Sequence, residues 1–166
     1  ASRRGCARAG GGRRSYASRA VDGDPSTAWC EGARGDGQGE WIEVELSGEE
    51  LGSCRPWDPG VIPGYARSAQ AWLGNGRLRQ VRIEPCGGGA GPEVDVPAVA
   101  RHDRAGVELP WRSRLAGDDG QLGFRSFETS LVDDSRMCMR LTIVEVEAGA
   151  SGDTCVSELA PLVNCG

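Results

Sequence analysis

The stretch SRMCMRLTIVEVE at 135–147 constrains the fold of this chain more than any other. Apolar and β-branched residues fall on both parities between Met137 and Val146, the pattern of a strand covered on both faces and central to its sheet. GEWIEVEL at 39–46 alternates Ile42, Val44 and Leu46 with Glu43 and Glu45, so it reads as a strand with one buried face and a solvated acidic one. RLRQVRIEP at 77–85 predicts another strand, with Val81 and Ile83 inward, and EVDVPAV at 93–99 a short one. Pro and Gly punctuate 56–64, 85–92 and 117–123 as loops. No segment of 12 or more residues holds a 3.6-residue apolar period, and no internal repeat is evident. The pattern describes an all-β sandwich with long loops.

The 166 residues suffice for one domain with a real core, and their 39% hydrophobic content fits a globular chain. No apolar run approaches the roughly 18 residues that a membrane span needs. The sequence opens on ASRRG, without Met or a hydrophobic leader, which is the expectation for a mature product whose signal has been removed. The net charge of -5 hides an asymmetry. Residues 1–20 carry six arginines and no acid, while the rest sets 13 arginines against 24 acids, a balance of +6 against -11. The basic, glycine-rich arm at 1–14 has three uses open to it: nucleic acid, its own body, or an acidic patch on a neighbour. Nucleic acid is the weakest, because the acidic body repels a phosphate backbone.

Seven cysteines stand at 6, 30, 54, 86, 138, 155 and 165, none in a CxxC pair, and His102 is the one histidine. Ligands so dispersed do not make a structural zinc site. They read as disulfides in an oxidising, extracytoplasmic setting, with at least one thiol free or bonded to another chain.

DGDPSTAWCEG at 22–32 packs carboxylates, a hydroxyl and a proline turn into a short stretch. An acid–base pair would need Asp22 with Asp24, or Glu43 with Glu45, but the latter alternate on a strand. His102, in ARHDRAG, has no nucleophile motif near it, and CGGGAGP leads into proline rather than opening a phosphate-binding helix. Two readings of the stretch stay open on local chemistry. Calcium favours hard oxygen donors in a tight irregular loop, and DGDPST supplies them. An Asx-turn leading into a buried Trp29 accounts for the same residues.

YASRAVDGDPSTAW at 16–29, followed by GEWIEVEL, resembles the front half of a discoidin (F5/8 type C), galactose-binding-like domain. LTIVEVEAGASGDTCVSEL at 141–159 is similar to the closing strand and loop of that fold, so that the resemblance runs over roughly 15–162. PGYARSAQAWLGNGRLRQVRI at 63–83 resembles a narrower group, the glycan-binding, translocation-type domain of bacterial NAD glycohydrolase toxins. The resemblance implies a jelly-roll β-sandwich over 15–166, without catalysis, holding a structural calcium. Its ligands would be Asp22, Asp24 and Thr27 from one end of the chain and Glu158 from the other, with Trp29 in the core. The same implied geometry brings Cys30 within bridging range of Cys155, and the nearness of the termini makes Cys6–Cys165 a second pair; Cys54, Cys86 and Cys138 are left unassigned.

Partners of such domains meet loops at one end of the sandwich. Trp57, Tyr65, Asn75, Arg77 and Trp111 are the candidates, since indole and phenol rings stack on sugar rings and polar groups fix hydroxyls. Trp41 and Trp72 flank strands and read as packing residues. The function expected is a secreted or surface-exposed binding module for a glycan or cell-surface polysaccharide. The alternative is a structural subunit of an extracellular fibre, homo-oligomeric through residues 1–14.

Overall fold

The computed structural model describes residues 6–9, 14–46, 55–96, 125–126, 137–150 and 152–164. In chain order the strands are β1 (Cys6–Ala9), β2 (Trp29–Cys30), β3 (Trp41–Leu46), β4 (Arg55–Ile62), β5 (Arg77–Pro85), β6 (Glu93–Asp95), β7 (Arg125–Ser126), β8 (Met137–Glu147), β9 (Cys155–Val156) and β10 (Glu158–Asn164). A 3-10 turn over Arg14–Ala20 precedes β2, and one short helix, α1 (Ala69–Gly74), precedes β5. The larger sheet runs β1-β3-β8-β5-β6, the smaller β10-β4-β7, and β2 pairs with β9, all antiparallel. The chain is an all-β sandwich, and β8 occupies the centre of the larger sheet as its apolar parities require.

One face of that sheet forms the core. Ile42 pairs with Leu141 and Leu141 with Ile83, while Val44 pairs with Met139 and Val81 with Ile143. All seven are buried, and Val61 and Leu159, paired across β4 and β10, join the same cluster. Each such side chain contributes roughly 1.5–3 kcal/mol by leaving water.

The outer face departs from the expected alternation. Glu43 is buried rather than solvated, because the Arg140 guanidinium pairs with its Oε1 at 2.7 Å and the Gly87 amide donates to the same oxygen at 2.6 Å. Arg140 also lies 3.9 Å over the Trp41 ring, and Thr142 donates to Glu84 at 2.5 Å. A polar layer thus covers β8 where sequence periodicity called for an apolar one. At the end of this layer Cys86 is bonded to Cys138, joining the segment after β5 to β8.

Residues 6–9 of the basic arm fold against the chain's own body. They form the edge strand β1, with Cys6 opposite Glu45 and Ala9 opposite Ile42, and Ala9 is buried. The sheet therefore begins inside the segment set apart as 1–14. The rest of that arm, 1–5 and 10–13, lies outside the described residues.

β4 runs through 55–62, where Pro56, Pro59 and Gly60 suggested a loop. It nevertheless pairs on both sides, with a register shift against β10 between Pro161 and Val163. Among the described residues no helix is long and apolar enough to cross a membrane.

Candidate functional site

The residues 22–27 fold as a chain of turns closed by their own side chains. Gly23 takes a positive φ of 77°, open to glycine at no steric cost. Asp22 accepts from the Asp24 amide at 2.9 Å, and Asp24 accepts from both the amide and the hydroxyl of Ser26 at 2.9 and 2.6 Å. The Thr27 hydroxyl lies 2.7 Å from the Asp22 carboxylate, 3.0 Å from the Asp24 carbonyl and 3.2 Å from the Arg19 carbonyl. Oxygen atoms of three residues therefore meet around one hydroxyl. The alanines under this loop, Ala17, Ala20 and Ala28, are buried together with Val21 and Trp29, which anchors the loop to the core.

Glu158 arrives from the other end of the chain, at the first position of β10. Its side chain is almost wholly buried, and the Gly23 amide donates to both carboxylate oxygens, at 3.3 and 3.2 Å. Burial pushes the pKa of Glu158 up to about 8, with the Asp22 and Asp24 carboxylates adding to the rise and the Gly23 amide opposing it. Sequence positions 22 and 158 are thus neighbours in space. Among the described residues no three acidic, imidazole or thiol groups come together closely enough to hold a metal ion as they stand. The donor set itself is hard oxygen throughout, and its loop members spend their hydrogen bonds on one another.

Behind this loop the chain crosses at β2 and β9. Cys30 and Cys155 are directly paired in register and bonded to each other, with 125 residues between them. Thr27 and Glu158 lie on one side of the bridge. On the other, the Glu31 amide donates to the Thr154 carbonyl at 3.2 Å and the Glu31 carboxylate accepts from the Thr154 amide at 3.1 Å. Glu31 is 1% exposed, and burial raises its pKa, helped by Asp153 and Glu40 and opposed by the Ala33 and Thr154 amides. The glycine-rich turn after it wraps this carboxylate so closely that a Cβ on Gly37 would lie 2.5 Å from Glu31 Cγ. Thr154 Oγ1 donates to the Asp36 carbonyl at 2.7 Å, tying the turn down. This hub is absent from the sequence reading; the one signal for it is the acid next to Cys30 in a run of glycines.

The ligand-contact candidates divide. Tyr65, Asn75 and Arg77 come from adjoining segments around α1. Ser68 caps that helix by accepting from the Ala71 amide at 3.0 Å, and Trp72 is buried beneath it, in keeping with a packing role. Gly64 sits so close that a Cβ there would lie 2.6 Å from the Trp72 ring and 2.9 Å from Arg77 Cγ. Arg77 donates to the Trp72 carbonyl and, at 3.3 Å, to the Asn75 carbonyl, while its other nitrogen pairs with Glu147 at 3.4 Å. Asn75 closes α1 through the Ala71 carbonyl at 2.8 Å. Asn75 and Arg77 therefore shape the turn, and Tyr65 is half-buried. Trp57 lies on β4, in a stretch whose side chains are outside the described residues, as are Trp111, His102, Cys54, Cys165 and the Cys6 side chain. The Cys6–Cys165 pairing accordingly falls outside them too.

The NAD glycohydrolase translocation F5/8 type C domain family matches residues 7–161. The chain belongs to this family. The match starts within β1 and ends in β10, so it spans nearly all of the sandwich and includes Glu158. No curated protein matches the chain. Among solved structures, a single-particle cryo-EM structure of the arabinofuranosyltransferase AftD from mycobacteria is similar at 19% identity and a TM-score of 0.48. That likeness covers 93% of this chain and 10% of the other, so the chain spans about a tenth of that protein's length.

Proposed function

We propose that the chain is a non-catalytic extracellular binding module whose two ends are joined by a calcium ion and whose ligand is a carbohydrate, a glycan or cell-surface polysaccharide. The observation that carries the proposal is the meeting of the buried Glu158 carboxylate with the 22–27 loop. Burial makes ionisation of Glu158 costly, the neighbouring Asp22 and Asp24 carboxylates add to that cost, and a divalent cation would relieve it. Asp22, Asp24 and Glu158 would supply carboxylate oxygens, with Thr27 adding its hydroxyl, and the ion would supply fixed positive charge and no chemistry. Membership of an F5/8 type C family supports binding as the role, and the two disulfides among the described residues suit an oxidising compartment.

The carbohydrate reading places Tyr65 against the sugar ring, with Asn75 and Arg77 setting the position of the turn. The test has two arms. Calorimetric titration of chelator-stripped protein with calcium should give one site per chain, lost in Asp22→Ala, and a calcium-independent melting temperature refutes the cation. A polysaccharide and glycan array should give hits that Tyr65→Ala removes, and a blank array at high protein concentration refutes the ligand class.

A further inference from the structure

The segments that meet at the Asp22–Glu158 site come from opposite ends of the chain and carry different hydrogen-bond supports. Glu158 belongs to a run fixed by the 62–76 region: Ser157 donates its amide to the Ile62 and Gly64 carbonyls at 3.2 and 3.0 Å, and its hydroxyl accepts from the Ala66 amide at 2.8 Å. Cys155 donates to the Gly76 carbonyl at 3.2 Å. The 22–27 loop follows the 3-10 turn and is tied to it where the Thr27 hydroxyl lies 3.2 Å from the Arg19 carbonyl. Between the two runs the structure shows a two-residue ladder, Trp29 opposite Val156 and Cys30 opposite Cys155, the Gly23–Glu158 contact and the Glu31–Thr154 contacts, and the 3-10 turn before the loop also packs against β10. A ladder this short is marginal alone.

The Cys30–Cys155 bond sits within that ladder. Because the pairing is antiparallel, moving back from Cys30 and forward from Cys155 leads in the same direction, and three steps along each strand reach Thr27 and Glu158. At about 3.3 Å per residue, both candidate ligands lie within roughly 10 Å of the bridge along their chains. The bond turns the encounter of residues 125 apart into a local one, raising the effective concentration of one half-site for the other. By contrast, Cys86–Cys138 joins the segment after β5 to β8, two strands already bound by a long ladder.

We infer that the Cys30–Cys155 disulfide is a positioning element of the cation site, so that a dithiol reductant weakens calcium binding while the sandwich stays folded. The inference rests on the calcium reading above. Cys30 is partly exposed and Cys155 fully buried, so the exchange has one accessible entry. A thiolate of the dithiol attacks Cys30 Sγ, the protein S–S bond breaks, and Cys155 leaves as a thiolate that takes up a proton. The second thiolate of the reagent then attacks the reagent's own sulfur in the mixed disulfide. Cys30 is released as a thiolate that is protonated, and the reagent departs as a cyclic disulfide, having given two electrons.

The experiment uses the full chain carrying Cys6→Ser, Cys54→Ser, Cys86→Ser, Cys138→Ser and Cys165→Ser, so that no other disulfide can contribute. Calcium is titrated calorimetrically into the oxidised and the dithiothreitol-reduced protein, and exchange of the Gly23 amide is followed by NMR in chelator. Reduction should weaken calcium at least about tenfold and speed Gly23 exchange by a similar factor, with the β8 amides unchanged. The Cys30→Ser/Cys155→Ser chain should match the reduced protein; if it does not fold, the reduced sample alone decides. Equal affinity and equal Gly23 exchange in the two states overturn the inference and leave the calcium reading standing. Loss of β8 protection on reduction also overturns it, since the bond would then hold the whole fold. No calcium uptake by the oxidised chain overturns the calcium reading and this inference with it, whatever Gly23 does.

Discussion

Glu158→Gln should flatten the pH dependence of stability of the metal-free protein. In the folded chain the Glu158 carboxyl has its pKa pushed up to about 8, against 4.5 for the ordinary group. The folded state thus binds this proton more tightly than the unfolded one. Stability contributed by the neutral carboxyl is full below about pH 4.5 and declines as pH rises through the window up to about 8, the reverse of a salt-bridged acid. At about 1.4 kcal/mol per pH unit the whole window is worth roughly 4–5 kcal/mol. Relaxation of the ionised loop and entry of water will reduce that, and we expect about 2 kcal/mol. The assay is urea denaturation in chelator at about pH 5 and about pH 9, for wild type and variant. The wild type should lose about 2 kcal/mol more than Glu158→Gln across this interval. Saturating calcium should remove the difference, because the cation favours the ionised form that alkaline pH otherwise penalises. Profiles that run parallel in chelator would show that Glu158 ionises at no cost, and that Asp22 and Asp24 exert no appreciable field on it.

Three further predictions concern the supports of the sites. Gly37→Ala should cost about 2–3 kcal/mol by denaturant titration, since its φ of 78° disfavours a side chain and the Cβ would overlap Glu31. Arg140→Leu should cost roughly 3–5 kcal/mol, because it leaves Glu43 buried without its cation, whereas Arg140→Leu with Glu43→Leu should recover most of the loss. Gly64→Ala should cost about 1–3 kcal/mol and shift the Trp72 fluorescence, measured in a chain where the other tryptophans are replaced by phenylalanine.

How much of this was legible in the sequence depends on whether the governing interaction was local. β3, β5 and β8 carry period-2 or two-sided apolar patterns, and each appears where those patterns place it, with β5 at Arg77–Pro85. β4 was hidden because Pro56 and Pro59 remove ladder donors, yet its core pair Val61–Leu159 depends on residues nearly a hundred positions apart. β1 was hidden by charge. Cys-Ala-Arg-Ala looks like a solvated arm until Ile42 and Val44 offer it an edge. Glu43 shows the same limit, since an acid on the outer parity of a strand reads as solvated until Arg140, 97 positions away, closes over it.

The candidate site repeats the lesson on a finer scale. The turn chemistry of DGDPST is local, and its Asx-type hydrogen bonds appear as such. Those bonds satisfy the local alternative of a structured polar turn without any ion. What they leave unexplained is Glu158, a carboxylate brought out of water into the field of two others when an apolar residue at the same place would cost nothing. The Gly23 amide compensates only in part, as the direction of the pKa shift records. A self-sufficient turn has no use for a third acid; a turn that must close on a cation does. The stability of Glu158→Leu therefore separates the two. A chain made more stable in chelator by this change, and no longer responsive to calcium, is one in which the acid was kept for the ion. A chain made less stable and equally responsive is one in which Glu158 serves the Gly23 amide alone.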